Sequence, residues 1–280
     1  MREQHHSVNT RIGNDEKIFR APYARAMKNS MGPGAYACFT FDNMAEAADV
    51  GAGTRVEPLP PGSDPSLAVG FPRLYELLAG HDVRATFFVE GWNGVHHPDA
   101  VAGIVAHGHE LGMHGWVHEP WATLDLAAER VAAERATTAL ERASGVRPRG
   151  FRAPGGQRST ATDTVLRELG YAYDASLGDR MRPARLPSGL AQVPFVWSCV
   201  DGFHYLRPEP VPAATVRDQW LARLAKVADE GGLFLTICHA FITGVDDHRL
   251  AALDAVMAAA VRDERVTICT AGEIADALSA

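Results

Sequence analysis

The sequence predicts an α/β fold: a distorted or incomplete (β/α) barrel of about seven to eight strands. Short apolar runs alternate along the chain with segments of helical periodicity, the order that builds parallel sheets. The 280 residues are 46% hydrophobic and 22% charged, enough apolar material for one large core, and α/β barrels of this length commonly form one domain. Polar, chemically capable side chains also stand at the C-terminal ends of successive apolar runs: Asp42 after CFTF, His114 after ELGM, Arg152 after RGF and His239 after LTIC. Barrel enzymes gather their sites at that face.

In chain order, residues 1–34 read as a polar N-terminal extension, in which His5 and His6 belong to a tail, and 35–280 as the folded domain. Strands are expected at 35–41 (AYACFTF), 83–90 (VRATFFVE), 109–114 (HELGMH) and 150–154 (GFRAP). Four more are expected at 171–177 (YAYDASL), 192–198 (QVPFVWS), 233–239 (LFLTICH) and 265–270 (RVTICT). Helical patterns run over 72–79, 123–144, 159–169, 213–229 and 248–261. The clearest is 123–144, with Leu124, Ala127, Val131, Ala132 and Leu140 at helical spacing and Gly145 as a stop.

The net charge is 27 − 34 = −7, with no block of Lys and Arg, so nucleic acid and anionic membrane surfaces are not expected partners. No run approaches the ~18 apolar residues of a membrane span, and no apolar segment follows a basic start as in an export signal. The expectation is a cytoplasmic protein; a homo-oligomer stays open. The four cysteines show no C-x-x-C spacing and read as buried free thiols of a reducing compartment. Cys238, beside His239, is a disfavoured nucleophile.

Five residues carry chemistry. His114 and His118, four apart in HGHELGMHGWVHEPW, would share one face of a helical turn, and two neutral imidazoles can bind one divalent cation. Glu119 could support an imidazole N–H, and the competing reading is a polar surface turn. Asp42 closes a buried run, as a general base or as a helix N-cap for NMAEAA. Arg152, before a Pro-Gly turn, would orient a carboxylate or make a surface salt bridge. His239 is a general acid or a buried structural histidine.

Together and in order, FTFDN (39–43), HGWVH (114–118), RAPGG (152–156) and ICHA (237–240) resemble the T-F-D-D, H-x-x-x-H, R-x-P-x-G and L-x-H-P motifs of the polysaccharide deacetylase superfamily. GYAYDASL and VPFVWSCVDGFHY are similar to its intracellular peptidoglycan deacetylase-like and allantoinase-like subgroup. The resemblance runs from Tyr36 to Gly272. It implies a distorted barrel with Asp42 as base, His239 as acid and Arg152 steadying Asp42. It implies a divalent metal, zinc as the expected guest, on His114 and His118, with Asp201 or, less well placed, Asp174 orienting His239.

Two departures stand out. Asn43 replaces the carboxylate of T-F-D-D, and Met44 stands where an F-D-x-D motif has one. The third metal ligand is then the neutral amide of Asn43, or Glu46 if the backbone bends, and affinity falls. Ala240 replaces the Pro of L-x-H-P. The implied function is a hydrolase that cleaves a carbon–nitrogen amide bond of a small intracellular molecule by metal-activated water. The substrate would be a small amide, imide or N-acyl compound. The alternatives are a cyclic imide or ureide ring-opening hydrolase with a weak or absent metal site, and a non-hydrolytic tailoring enzyme or binding protein. Trp116, Pro154, Trp197 and Asp201 are the expected substrate contacts, with Trp121, Tyr205, Arg180 and Arg182 on the rim.

Overall fold

The computed structural model describes residues 34–60, 62–178 and 181–278. The extension with His5 and His6, and Arg180, lie outside the described residues. Among the described residues nine strands form one sheet: β1 (Ala35–Asp42), β2 (Thr86–Val89), β3 (Glu110–Met113), β4 (Gly150–Phe151), β5 (Tyr173–Asp174), β6 (Ala184–Arg185), β7 (Ala191–Gln192), β8 (Gly232–His239) and β9 (Val266–Ile268). Their order is β6-β7-β5-β4-β3-β2-β1-β8, with β9 on β1. All pairings are parallel except the β6–β7 hairpin. A parallel bridge from Val200 to Ile237 joins the segment after β7 to β8 at the opposite end of the sheet, so the sheet curls into a distorted barrel.

The long strands follow the sequence and the short ones shrink for local reasons. Only Ala191–Gln192 of the run around 192–198 is strand, because Pro194 brings no N–H to the ladder. The β6–β7 hairpin was not expected; it turns through Pro187 and Ser188, with Gly189 at φ 89°.

The helices are α1 (Ala47–Gly51), α2 (Phe71–Gly80), α3 (Gly91–His96), α4 (Pro98–Ala106) and α5 (Leu126–Ser144), then α6 (Thr162–Glu168), α7 (Asp201–Tyr205), α8 (Ala213–Glu230), α9 (Asp247–Arg262) and α10 (Ala271–Ala277). The five expected from periodicity are α2, α5, α6, α8 and α9. Helix α5 begins three residues later than expected, because the Asp125 side chain accepts from Ala128 N–H and sets the cap there. Its end is as read from the sequence, with Gly145 left-handed at φ 75°. No described helix is long and apolar enough to cross a membrane.

Strand alternation decides what faces the site. In β8, Leu233, Leu235 and Ile237 pack with Cys38 of β1 in one cluster, whereas Phe234 and Cys238 pack with Phe39 and Phe41 in another. By parity Asp42 follows Cys38 and Thr40, and His239 follows Ile237, so both emerge on the inner face. Cys238 points the other way, and burial pushes its thiol well above its ordinary range, which removes it as a nucleophile. All four cysteines are buried free thiols.

Candidate active site

Asp42 and His239 end neighbouring strands in direct register. Asp42 Oδ1 accepts from Arg152 Nη1 at 2.6 Å. That guanidinium, 1% exposed, also donates from Nη1 to Thr40 Oγ1 and from Nε to the Ala175 carbonyl, both at 2.8 Å, and lies 4.1 Å over the Phe88 ring. Arg152 is therefore a buried counter-charge and not a surface ion pair. Burial raises the Asp42 carboxyl above its ordinary range, and the charges of Arg152 and His239 oppose the rise.

His239 Nδ1–H donates to Asp201 Oδ1 at 2.5 Å. Asp201 Oδ2 accepts from the His239 backbone N–H at 2.8 Å and from Thr243 Oγ1 at 2.7 Å. With Nδ1 committed, Nε2 is the nitrogen left to meet a ligand. Burial pulls the imidazole down, but the charge and hydrogen bond of Asp201 outweigh it, and His239 stays raised. Asp201 is fully buried with both oxygens engaged, so it braces His239 and is not a substrate contact. Asp174 is elsewhere, bonded to Ser176 and 3.4 Å from Arg158 Nε.

His114 Nδ1–H donates to the Arg152 carbonyl at 2.8 Å, which turns Nε2 outward. The rings of His114 and His118 stand 5.0 Å apart. The segment between them is an irregular turn, not the helical turn expected, with Gly115 at φ 74° and His118 at φ 60°. A Cβ at Gly115 would come within 2.9 Å of Glu119 Oε2 and 3.0 Å of Pro154 Cγ. Glu119 serves this turn and not an imidazole: its carboxylate accepts from the N–H groups of Trp116 and Val117 at 2.8–3.0 Å. Burial lowers both imidazoles, His118 to about 4, so both are neutral near pH 7, as a cation ligand must be.

Asn43 sits at φ 61°, 8% exposed, and its Oδ1 is buried without a hydrogen-bond partner. Two neutral imidazoles and an orphaned amide oxygen fit a borderline divalent cation. Among the described residues no group of three His, Cys, Asp or Glu could hold one, so the set lacks a carboxylate. Glu46 does not supply it. Its carboxylate lies 3.1 Å from His97 Nε2 and accepts from Leu59 N–H at 2.7 Å.

The sequence model of the polysaccharide deacetylase family matches residues 33–173, just over half of the chain. The chain belongs to the polysaccharide deacetylase family. A peptidoglycan deacetylase of Helicobacter pylori is 31% identical over 109 residues, 39% of this chain and 37% of its own. The chain spans about a third of the length of the curated relatives it matches. Among solved structures, a Mycobacterium smegmatis protein described as a polysaccharide deacetylase superposes at TM-score 0.80 and 30% identity, covering 88% of this chain and 91% of its own. The Puue allantoinase superposes at TM-score 0.73 and 21% identity over the same shares, 88% and 91%, a likeness of fold.

Within this family member the rim differs from expectation. Trp197 is 41% exposed and edge-on to Phe195, and Trp116 is half-buried with the Arg135 guanidinium 3.6 Å over its ring. Pro154 is buried against the 114–118 turn. Trp121 and Tyr205 are not on the rim: they are 0% and 5% exposed, because the residues flanking a motif need not point where it points. Trp121 donates from Nε1 to Thr162 Oγ1 and packs on Phe151. Trp121→Ala should cost about 3–5 kcal/mol, read by denaturant unfolding; a loss under about 1 kcal/mol would contradict the packing. Arg182 donates to the Glu230 carbonyl, just before β8 begins and so at the end of the barrel away from His239.

Two residues went unnoticed in the sequence. Phe241, 43% exposed, is edge-on to His239 at 5.3 Å. Glu90 follows β2, fully buried, and burial lifts its carboxyl to about 8. Its signal was that of Asp42: an acid closing an apolar run.

Proposed function

We propose that this chain hydrolyses a carbon–nitrogen amide bond of a small molecule, with Asp42 as base and His239 as acid. One observation carries this reading. The two groups end paired strands and are braced by opposite charges, Arg152 on Asp42 and Asp201 on His239. A cation favours the basic form of a carboxyl and an anion favours the acidic form of an imidazole, the division that proton transfer in both directions needs. The water oxygen bonds to the carbonyl carbon as its proton passes to Asp42. The carbon–nitrogen bond then breaks, and the nitrogen leaves with a proton from His239 Nε2.

His114, His118 and Asn43 would hold a divalent cation, zinc being the usual guest of imidazoles. When bound, it would polarise the carbonyl and stabilise charge developing on its oxygen. Because Asn43 adds no charge, binding is weak. Asn43→Asp should tighten zinc on the order of tenfold, and Asp tolerates the left-handed backbone that Asn43 adopts. Calorimetric titration with zinc checks this; equal affinities would contradict it.

Asp42 and His114 are only 5% and 2% exposed, while Phe241 stands open beside His239. Buried reacting groups beside an open aromatic ring suit a small amide, imide or N-acyl compound better than a long glycan. Opening of a cyclic imide or ureide is the second reading, favoured by the uncharged Asn43, since it asks less of a cation. The buried free thiols fit a cytoplasmic enzyme. Assay of N-acetylated sugars, chitin oligomers, cyclic imides and ureides, with and without zinc, separates these readings. Turnover of long glycans alone would overturn the small-molecule assignment.

A further inference from the structure

The turn after Asp42 holds two non-glycine residues in the left-handed region, Asn43 at φ 61° and Ala45 at φ 47°. Alanine is strained there, and such a conformation persists only where its surroundings over-determine it. Side-chain acceptors from two other segments supply the restraint. Ala45 N–H donates to Ser66 Oγ at 3.2 Å, and Met44 N–H donates to Glu90 Oε2 at 3.1 Å.

The Glu90 contact stands apart. It joins the turn to the residue immediately after β2, whose Phe88 is the register partner of Asp42. Oε2 also accepts from Asn93 Nδ2 at 3.1 Å, while Oε1 is buried without a partner. Glu90, Asn93 and Met44 are all fully buried. A buried carboxyl with one oxygen unsatisfied is costly to keep, and core packing gives no reason for it where an apolar residue would fill the space. Through Met44 N–H the carboxyl is tied directly to the turn that carries Asp42 and Asn43.

We propose that Glu90 is a positioning residue of this site: through Met44 N–H it sets the peptide behind Asn43, and with it the directions of the Asp42 carboxylate and the Asn43 amide. The kinetic consequence rests on Asp42 being the base; the geometric one does not. Glu90 touches no reacting atom. It acts through the turn.

The test compares Glu90→Gln, which keeps an accepting oxygen at almost the same volume, with Glu90→Leu, which removes it. Hydrogen exchange at the Met44 amide reports the geometry without any substrate. Glu90→Leu should speed exchange there by about tenfold or more, the loss of one buried hydrogen bond. On the amide or imide of the panel that the parent turns over fastest, it should lower kcat by about tenfold with KM changed less than about threefold. Glu90→Gln should restore both to within about threefold of the parent. Should Glu90→Leu not fold, Glu90→Met takes its place: it likewise removes the accepting oxygen and should speed Met44 exchange by about tenfold.

Unchanged Met44 exchange in the variant used, or a Glu90→Gln protein as impaired as Glu90→Leu, would overturn the proposal. If Asp42→Asn keeps its turnover while Glu90→Leu loosens Met44, the base assignment fails and the brace stands. If Asp42→Asn abolishes turnover while Glu90→Leu leaves Met44 and kcat as they were, the inference about Glu90 falls alone.

Discussion

Asp42→Asn is expected to lower kcat by about 10²–10⁴-fold, the usual contribution of a general base. The change holds volume nearly constant and deletes only the site that takes the proton. It is not silent in the fold. Arg152, 1% exposed, receives from Asp42 its short ion pair of 2.6 Å. The replacement amide oxygen can still accept from Nη1, but the guanidinium loses its counter-charge. A stability loss of about 1–3 kcal/mol should accompany the kinetic one. Unfolding curves beside steady-state rates separate the two effects. Near-normal turnover in a folded variant would remove Asp42 from the chemistry.

Asp201→Asn should cost nearly as much, about 10²–10⁴-fold in kcat, by analogy with carboxylates that orient a catalytic imidazole elsewhere. Asp201 Oδ1 accepts the Nδ1–H of His239 and so leaves Nε2 toward the site; an amide in its place can present N–H and reverse the tautomer. The pH profile adds an independent sign. His239 must carry its proton to act as acid, so activity falls as pH rises through its pKa, which stays above the ordinary value despite burial because of Asp201. Removing that charge lowers the pKa, and the falling limb of kcat/KM should move to lower pH. The rising limb, set by Asp42, whose raised pKa owes more to burial than to the charge of Asp201, should move less. A falling limb that does not move would separate Asp201 from the acid.

Much of this architecture was legible in the chain because polar residues interrupt apolar runs. An Asp after CFTF and a His after LTIC can be placed on one face by parity alone, and their runs prove to be β1 and β8, neighbours in register. What escaped was what depends on the path of the backbone between elements. His114 and His118 meet, but on a left-handed turn that spacing does not encode. Glu119 caps that turn because its neighbours' N–H groups face it, and Glu46 is taken by His97 from a distant helix cap. Glu90 carried the same signal as Asp42 but read as the tail of a strand. Trp121, Tyr205 and Arg182 failed as rim residues because proximity to a motif in sequence carries no direction in space.

The central claim is hydrolysis of a small carbon–nitrogen bond through Asp42. Incubating the zinc-supplemented protein with the panel of amides, imides, ureides and N-acetylated sugars in ¹⁸O-water, with product mass spectra read beside those of Asp42→Asn, tests it most directly. The account predicts a small substrate that yields free amine, or a ring-opened product, carrying one solvent oxygen on the new carboxyl group, and no such product from the variant. Solvent oxygen appearing only in products from long glycans, or appearing equally with Asp42→Asn, would contradict it.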